Sequence, residues 1–170
     1  TSVEAIYLRD DETGAAWGAT PGPMRRVAEG GRWIVHHGAG VTRYLHREGE
    51  IRHELAIFVH PSDPVRFAFL TVVNQTGLPR RLSAFGYNEW RLCPPRAGEQ
   101  IHVRTEFDAD TSALLAQNPY NQAFRERTAF AHAGPLASAT GDRLEFLGRN
   151  GTIARPAALD RRLLSNTFGA

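Results

Sequence analysis

Residues 51–59, Ile-Arg-His-Glu-Leu-Ala-Ile-Phe-Val, decide the fold of this chain. In an extended chain, alternate side chains point to opposite faces, so Ile51, Leu55 and Val59 share one face with His53. Arg52 lies on the other face, together with further polar residues and two apolar ones, an alanine and a phenylalanine. Alternation with a period of two predicts a strand that is buried on one side only. Two prolines in residues 60–64 mark a turn directly after it.

The next segment, residues 65–73, reads Val-Arg-Phe-Ala-Phe-Leu-Thr-Val-Val and is apolar on both faces after Arg66. This pattern predicts a central strand that is covered on both sides. A turn is expected at residues 74–79 and a third strand within residues 81–92. Three consecutive strands joined by short turns predict an antiparallel meander.

The remaining sequence predicts further short strands and little helix. The additional strand candidates are residues 3–8, 32–37, 41–47, 102–107, 113–117, 128–132 and 144–147. Helical character is limited to one turn at residues 122–127 and to residues 156–164. Roughly nine or ten strands separated by turn residues predict an all-β, antiparallel β-sandwich. We assign residues 1–155 to this sandwich and residues 156–170 to the start of a linker.

The composition excludes several classes of protein. The 170 residues carry a net charge of only +2, and all 20 basic residues are arginines interleaved with acids, so no nucleic-acid-binding stripe is predicted. Cys93 is the single cysteine, which excludes an intrachain disulfide. No signal peptide and no apolar run of ~20 residues is found. We therefore expect a cytoplasmic location, alone or as the cytosolic part of a membrane-bound parent protein.

The sequence offers no motif for a cofactor or a catalytic centre. A phosphate-binding Walker loop needs a lysine, which the chain lacks. His46, His53 and Glu54 lie on adjacent predicted strands, but their spacing matches no compact metal-ligand motif. Acidic residues at 10–12 and 106–110 lie in or near predicted turns, where carboxylates usually cap the backbone. No cofactor, metal or catalytic carboxylate pair is therefore predicted.

Aromatic residues beside amides and arginine form the most informative constellation. Trp90 follows Asn88, Tyr120 lies within Asn-Pro-Tyr-Asn at 118–121, and Arg43 precedes an aromatic residue. Sugars present apolar ring faces and a rim of hydroxyl groups, so a sugar-binding protein combines an aromatic plate with hydrogen-bonding groups. Composition alone favours the alternative, in which the aromatic rings fill the core and the amides cap loops.

Five segments together resemble glycoside hydrolase family 94 in their order and spacing over nearly the whole chain. The first reads Tyr7-Leu8-Arg9-Asp10-Asp11-Glu12-Thr13-Gly14, and the others are residues 37–44, 55–63, 80–90 and 118–121. The sequences of these segments are most similar to the cyclic β-1,2-glucan synthase branch. The family also includes cellobiose and chitobiose phosphorylases. The sequence at 93–95, Cys-Pro-Pro, departs from the family pattern.

The resemblance implies a galactose-mutarotase-like supersandwich, here an incomplete fragment of a longer protein. In the family, a helical linker and an (α/α)6 barrel with the general acid follow the sandwich. The chain matches the sandwich alone, so it is expected to be non-catalytic. The expected partners are a β-glucan or gluco-oligosaccharide, the barrel of the same protein and a second copy in a homodimer. The candidate sugar-contacting residues are Arg43, Trp90, Asn118, Tyr120 and Asn121.

Two alternatives remain at this point. An autonomous carbohydrate-binding module would require an exposed aromatic platform on the isolated chain. A mutarotase-like sugar epimerase would require a histidine and a carboxylate that converge in one cleft, and His53 and Glu54 are the first residues to suspect.

Overall fold

The computed structural model describes residues 4–24, 31–93 and 99–169, and within them ten β-strands and one α-helix form. The strands pair in antiparallel fashion, which confirms the predicted all-β class. The strands are β1 Glu4–Asp10, β2 Ala16–Gly18, β3 Ile34–Gly38, β4 Val41–Glu48, β5 Ile51–Val59, β6 Arg66–Asn74, β7 Leu82–Asn88, β8 Arg104–Asp108, β9 Ala113–Gln117 and β10 Thr128–His132. The helix is α1 Arg143–Leu147, with short 3-10 helices at Glu99–His102 and Ala157–Asp160.

The chain divides into two compact units. The first unit is Ala5–Gly86, and the second is Tyr87–Ala170 with the first four residues. Within the second unit, Ala158 and Leu159 are buried, although they lie in the segment predicted to begin a linker. The predicted boundary after residue 155 concerns a further domain and stays a prediction.

The first unit is a sandwich of two sheets, with strand orders β2-β1-β7 and β3-β4-β5-β6, and it includes β7 as far as Gly86. Its core is formed by Leu8 and Trp17 of the first sheet and Ile51 of the second, with Leu70 and Leu82 packed against them. Both sheets therefore contribute to one apolar layer, which is the packing that the alternating pattern of β5 predicts.

The strand prediction for residues 51–59 is confirmed, but the prediction of a buried central strand at residues 65–73 is wrong. Within the described chain, β6 lies at the edge of its sheet, beside β5 alone. Phe67, Phe69 and Val73 are exposed. An apolar pattern indicates which faces of a strand can be buried, but it does not indicate whether the strand lies at the centre or at the edge of its sheet.

The third strand of the predicted meander also has a different partner. β7 pairs with β1 in the other sheet, and the meander runs instead through β3, β4, β5 and β6. The turn after β6 carries the chain out of the four-stranded sheet. Arg81 then accepts a hydrogen bond from the backbone N–H of Asp11 at 3.0 Å through its carbonyl oxygen, which sets β7 beside the end of β1.

The strand predicted at residues 144–147 is wrong, because these residues belong to α1. The Asp142 side chain caps the helix by accepting from the Leu144 backbone N–H at 2.8 Å. Phe146 and Leu147 are buried on the inner side of this helix, and Gly148 ends it with a positive φ of 90°. The cap and the terminal glycine outweigh the strand-like alternation of leucine and phenylalanine.

The second unit contains a three-stranded sheet in the order β10-β9-β8. Tyr87 stacks on Phe146 with ring centroids 5.1 Å apart, and burial raises the pKa of Tyr87 to about 12. Residues 122–126 form turns that do not continue into a helix. Among the described residues, no helix has the length and apolar character needed to cross a bilayer.

Candidate functional site

The loop after β9 is organised by Asn118, whose side chain is fully buried in the second unit. Its Nδ2 donates to the carbonyl oxygen of Leu92 at 3.1 Å. Its Oδ1 accepts from the backbone N–H groups of Tyr120 at 3.2 Å and Asn121 at 3.3 Å. This single amide therefore joins the loop to the chain that follows β7, while Tyr120 stays at the surface.

Asn121 stabilises the next turn of the loop. Its carbonyl oxygen accepts from the backbone N–H groups of Phe124 at 3.1 Å and Arg125 at 2.8 Å. Its Oδ1 accepts from the Ala123 N–H at 3.0 Å. Both asparagines thus bind backbone on either side of Tyr120, and their predicted role in contacting sugar stays a prediction.

Tyr120 presents an aromatic ring at the surface and is 68% exposed. It stacks on His102, with the ring centroids 4.2 Å apart and the planes inclined by 23°. The two rings line a hollow of about 320 Å³ together with Ile101, Arg104 and Pro119. The hollow combines an apolar ring face with an imidazole and a guanidinium, which is the combination needed to hold a sugar by stacking and hydrogen bonds.

The β8–β9 hairpin brings these residues together. Arg104 lies opposite Gln117 in the antiparallel register, so residues before β8 and residues after β9 lie at the same end of the sheet. Sequence reasoning predicted both strands and Tyr120 but missed His102, Ile101 and Arg104 as site residues. The antiparallel pairing of the two predicted strands is the signal that could have found them.

The other two predicted residues lie elsewhere. Trp90 is half-buried in the second unit and is not among the described residues that line the Tyr120 hollow. Arg43 lies on β4 in the first unit, where its Nη1 is 2.5 Å from Oε1 of Glu54. The structure therefore gathers Asn118, Tyr120 and Asn121 in one loop.

His53, the histidine suspected in the epimerase alternative, is buried in the first unit. The Trp17 indole N–H donates to its Nδ1 at 3.2 Å. The proton must then be on Nε2, which lies 3.3 Å from the carbonyl oxygen of Ala19 and donates to it. Burial lowers the pKa of His53 to about 4, and the nearby His46 acts in the same direction while the bond to Ala19 opposes it.

Glu54 is on the opposite face of β5, because neighbouring residues of a strand point to opposite sides. It pairs with Arg43 there. His53 and Glu54 therefore do not converge in a cleft, and the epimerase alternative gains no support from them. Within the described ranges, no group of three or more histidine, cysteine or acidic side chains is placed to hold a metal ion.

The acidic residues after β1 hold a turn. Asp10 Oδ1 accepts from the backbone N–H groups of Glu12 at 2.9 Å and Thr13 at 3.2 Å, and Asp10 Oδ2 accepts from Arg80. Burial acts to raise the pKa of Asp11, but hydrogen bonds from Ser83 and Arg9 outweigh it and lower that pKa below its ordinary value. These carboxylates are engaged in joining β1 to β7.

Comparison with known proteins gives one family. The family model for the glycosyl hydrolase 94 supersandwich domain matches residues 1–170. The chain is 35% identical over 157 residues to the cyclic beta-(1,2)-glucan synthase NdvB of Rhizobium meliloti, which is 92% of this chain and 6% of that protein.

Two phosphorylases are more distant relatives. Solabiose phosphorylase of Paenibacillus borealis is 29% identical over 170 residues, covering 97% of this chain and 22% of that protein. N,N'-diacetylchitobiose phosphorylase of Vibrio furnissii is 28% identical over 170 residues, covering 95% of this chain and 21% of that protein. The chain thus spans less than a quarter of the length of each of these relatives.

Proposed function

The chain belongs to the glycosyl hydrolase 94 supersandwich domain family, and on this premise we propose that it is a non-catalytic domain of a larger β-glucan-processing enzyme. The reaction of that enzyme is of the glucan synthase or disaccharide phosphorylase type, as in the named relatives. The domain supports the catalytic portion in the cytoplasm and contacts the glucan through the Tyr120 loop.

The observation that carries the supporting role is an aromatic surface on the four-stranded sheet of the first unit. Phe58 stacks on Phe67 and Phe69 with ring centroids 5.2 and 5.8 Å apart. The cross-strand pairs Phe58–Phe67 and Ala56–Phe69 place all three rings on the same face of β5 and β6. We call these three residues the phenylalanine face.

The phenylalanine face is open to solvent, and Phe69 alone is 60% exposed. Exposed apolar area costs roughly 25 cal/mol per Å² relative to burial, so a contiguous aromatic patch favours a covering partner. More than three quarters of each relative's sequence lies outside the match to this chain, and further parts of the same polypeptide are the natural occupant. We therefore assign the phenylalanine face to contact with the rest of the enzyme.

The test compares Phe69→Ser with Leu78→Ser. Leu78 is the matched control, since it is 69% exposed in the turn after β6. Each variant is made in this chain and in the polypeptide that joins it to its catalytic portion. We expect Phe69→Ser to destabilise only the longer protein, by about 1–2 kcal/mol, and Leu78→Ser to change neither. Equal effects in both settings would contradict the supporting role.

The glucan contact is carried by the exposed Tyr120–His102 pair. The isolated chain is titrated with β-1,2-, β-1,4- and β-1,3-gluco-oligosaccharides, and backbone amide shifts are followed by NMR. We expect selective, saturable shifts around Tyr120 that Tyr120→Ala abolishes and Leu144→Ala, at a 61% exposed position on α1, retains. No shifts at millimolar ligand would remove the glucan contact and leave the supporting role to its own test.

The same exposed pair favours a second candidate, an autonomous carbohydrate-binding module. The two candidates differ in what the isolated chain does. A module binds its sugar equally well with and without the catalytic portion, whereas a supporting domain gains affinity when that portion completes the site. Comparing the dissociation constants of the chain and the longer protein separates them.

A further inference from the structure

The three-stranded sheet of the second unit has one covered face and one open face. On the covered face, Ala116 is buried and Phe107 stacks on Phe168 with ring centroids 5.8 Å apart. The antiparallel registers of β8, β9 and β10 give the residues of the other face. This face is open because most of its side chains are exposed, although the small Ala113 is buried among its neighbours. Its three rows of side chains are Arg104–Gln117–Thr128, Glu106–Leu115–Phe130 and Asp108–Ala113–His132.

A second hollow of about 540 Å³ lies on this open face. Its floor is apolar and includes Leu115 and Phe130, and Phe130 is 52% exposed. Its rim is polar and includes Asp108, Thr111 and His132. An apolar floor within a ring of hydrogen-bonding groups repeats the combination found at Tyr120.

The two hollows share one surface. Arg104 lines the Tyr120 hollow and Asp108 lines the second. They are four residues apart on β8, so they are on the same face and about 13 Å apart at the rise of an antiparallel strand. Between the hollows, the Gln117 amide donates from Nε2 to the Thr128 hydroxyl at 2.7 Å. Polar groups therefore continue from one aromatic ring to the other.

We propose that this open face binds an extended, neutral oligosaccharide, with one sugar unit against Tyr120 and another against Phe130. The inference rests on the proposed glucan contact and adds a second subsite to it. Sugar C–H groups pack on the ring of Phe130 and on Leu115. Sugar hydroxyls donate to the carboxylates of Glu106 and Asp108, and their oxygens accept from Arg104.

The charges select a neutral ligand over an anionic one. Two carboxylates, Glu106 and Asp108, line β8 on this face, against one guanidinium at its far end. The Thr111 hydroxyl and the Asp110 backbone N–H hold the pKa of Asp108 below its ordinary value, so Asp108 is ionised at neutral pH. Phosphate or nucleic acid next to it would be repelled, whereas a polyol supplies hydroxyl donors to a carboxylate.

The experiment measures affinity against oligosaccharide length by NMR and calorimetry. The linkage is the one that shifts the Tyr120 amides, and chains of two to six sugars are compared. The variants are Phe130→Ala, Phe130→Tyr as the conservative change, and Leu144→Ala as the control at another exposed position. A dispersed amide spectrum shows that each variant is folded.

We expect the affinity of the native chain to rise with length and the shifts to extend from the Tyr120 loop to β10. Phe130→Ala should weaken the longest sugar about tenfold, equivalent to about 1.4 kcal/mol, and leave the disaccharide unchanged. Phe130→Tyr and Leu144→Ala should retain native affinity.

Four results would overturn the inference. The second subsite fails, while the Tyr120 contact stands, if the sugar affinity of Phe130→Ala still rises with oligosaccharide length. The same conclusion follows if the amide shifts of the native chain stay within residues 118–121. If no sugar shifts any amide, the glucan contact fails as well. If a lysine-rich peptide, but no sugar, gives saturable shifts on β8–β10, the open face belongs to a protein partner.

Discussion

At the scale of single residues, the hydrogen bonds at the buried centre of the first unit depend on which ring nitrogen of His53 carries the proton. An indole N–H can only donate, so Trp17 requires an unprotonated Nδ1 on His53, and the carbonyl of Ala19 requires a proton on Nε2. The folded chain therefore stabilises one neutral tautomer of His53, with the proton on Nε2. The His46 ring lies 5.6 Å away, which further disfavours a second proton on His53.

This tautomer gives a pH dependence with a defined sign. The pKa of His53 is lowered from 6.5 to about 4 in the folded chain, so the unfolded chain takes up the proton first. The contribution of neutral His53 to the free energy of unfolding is fully present above about pH 6.5. It is lost as pH falls towards 4, and the total loss is about 3 kcal/mol. Chemical denaturation between pH 7 and pH 4 measures this loss.

His53→Gln is the matched variant for that measurement, because the glutamine amide can also accept from Trp17 and donate to Ala19 without titrating. We expect its stability to fall less steeply with acid than that of the native chain. Parallel stability curves for the two proteins would show that His53 is protonated in the folded state as readily as in the unfolded chain.

At the scale of elements, the sequence predicted strands well where their alternation was long and poorly where local capping decided. The nine-residue pattern of β5 was sufficient to predict a strand. In α1 the leucine and phenylalanine alternate as in a strand, yet the Asp142 cap and Gly148 set a helix. β2 was missed because three residues, Ala16–Gly18, carry too little periodicity.

The loop after β9 shows why the candidate site was only partly predictable. The Asn-Pro-Tyr-Asn sequence marked the loop, but nothing in it distinguishes the buried Asn118 from the exposed Tyr120. That distinction comes from the hydrogen bond of Asn118 to Leu92, a contact between distant parts of the sequence. His102 joins the site through strand pairing, which a single segment does not reveal.

Asn118→Ala tests whether the loop depends on this amide. The substitution leaves the Leu92 carbonyl and two backbone N–H groups without their partner, so we expect a loss of about 1–3 kcal/mol in the free energy of unfolding. Amide hydrogen exchange of Tyr120 and Asn121 should accelerate, and sugar affinity should fall with it. Tyr120→Phe is the control, since it alters the loop surface and keeps Asn118. Unchanged exchange in the alanine variant would refute this role.

At the scale of the whole molecule, family membership was predictable because five motifs kept their order over most of the chain. The fold class followed from the same signals. The pairing of strands did not, because β6 and β7 are neighbours in sequence but belong to different sheets. Hydrophobic pattern fixes how much of a strand can be buried, whereas the choice between sheets depends on contacts with distant segments such as β1.

The charge of the whole molecule gives the last prediction, which concerns polyanions. All 20 basic residues are arginines, a side chain suited to phosphate, yet the net charge is only +2. Arg9, Arg43, Arg80, Arg125 and Arg161 each pair with a carboxylate. The 18 acidic residues nearly match the 20 arginines in number, so the net attraction of the chain for DNA is weak. We expect no retention on immobilised DNA or heparin at about 150 mM salt.

The matched variant for that column experiment reverses charge on the open face of the β8–β10 sheet. Glu106→Arg with Asp108→Arg changes the net charge by four units and removes the two carboxylates that repel an anion there. The affinity of this variant for DNA or heparin should be higher than that of the native chain. It should decline steeply with salt, since each new phosphate contact adds nearly one unit to the slope of log affinity against log salt. If the native chain is instead retained at higher salt than this variant, it has a basic surface outside the open face that binds polyanions. That result would contradict selection for a neutral ligand.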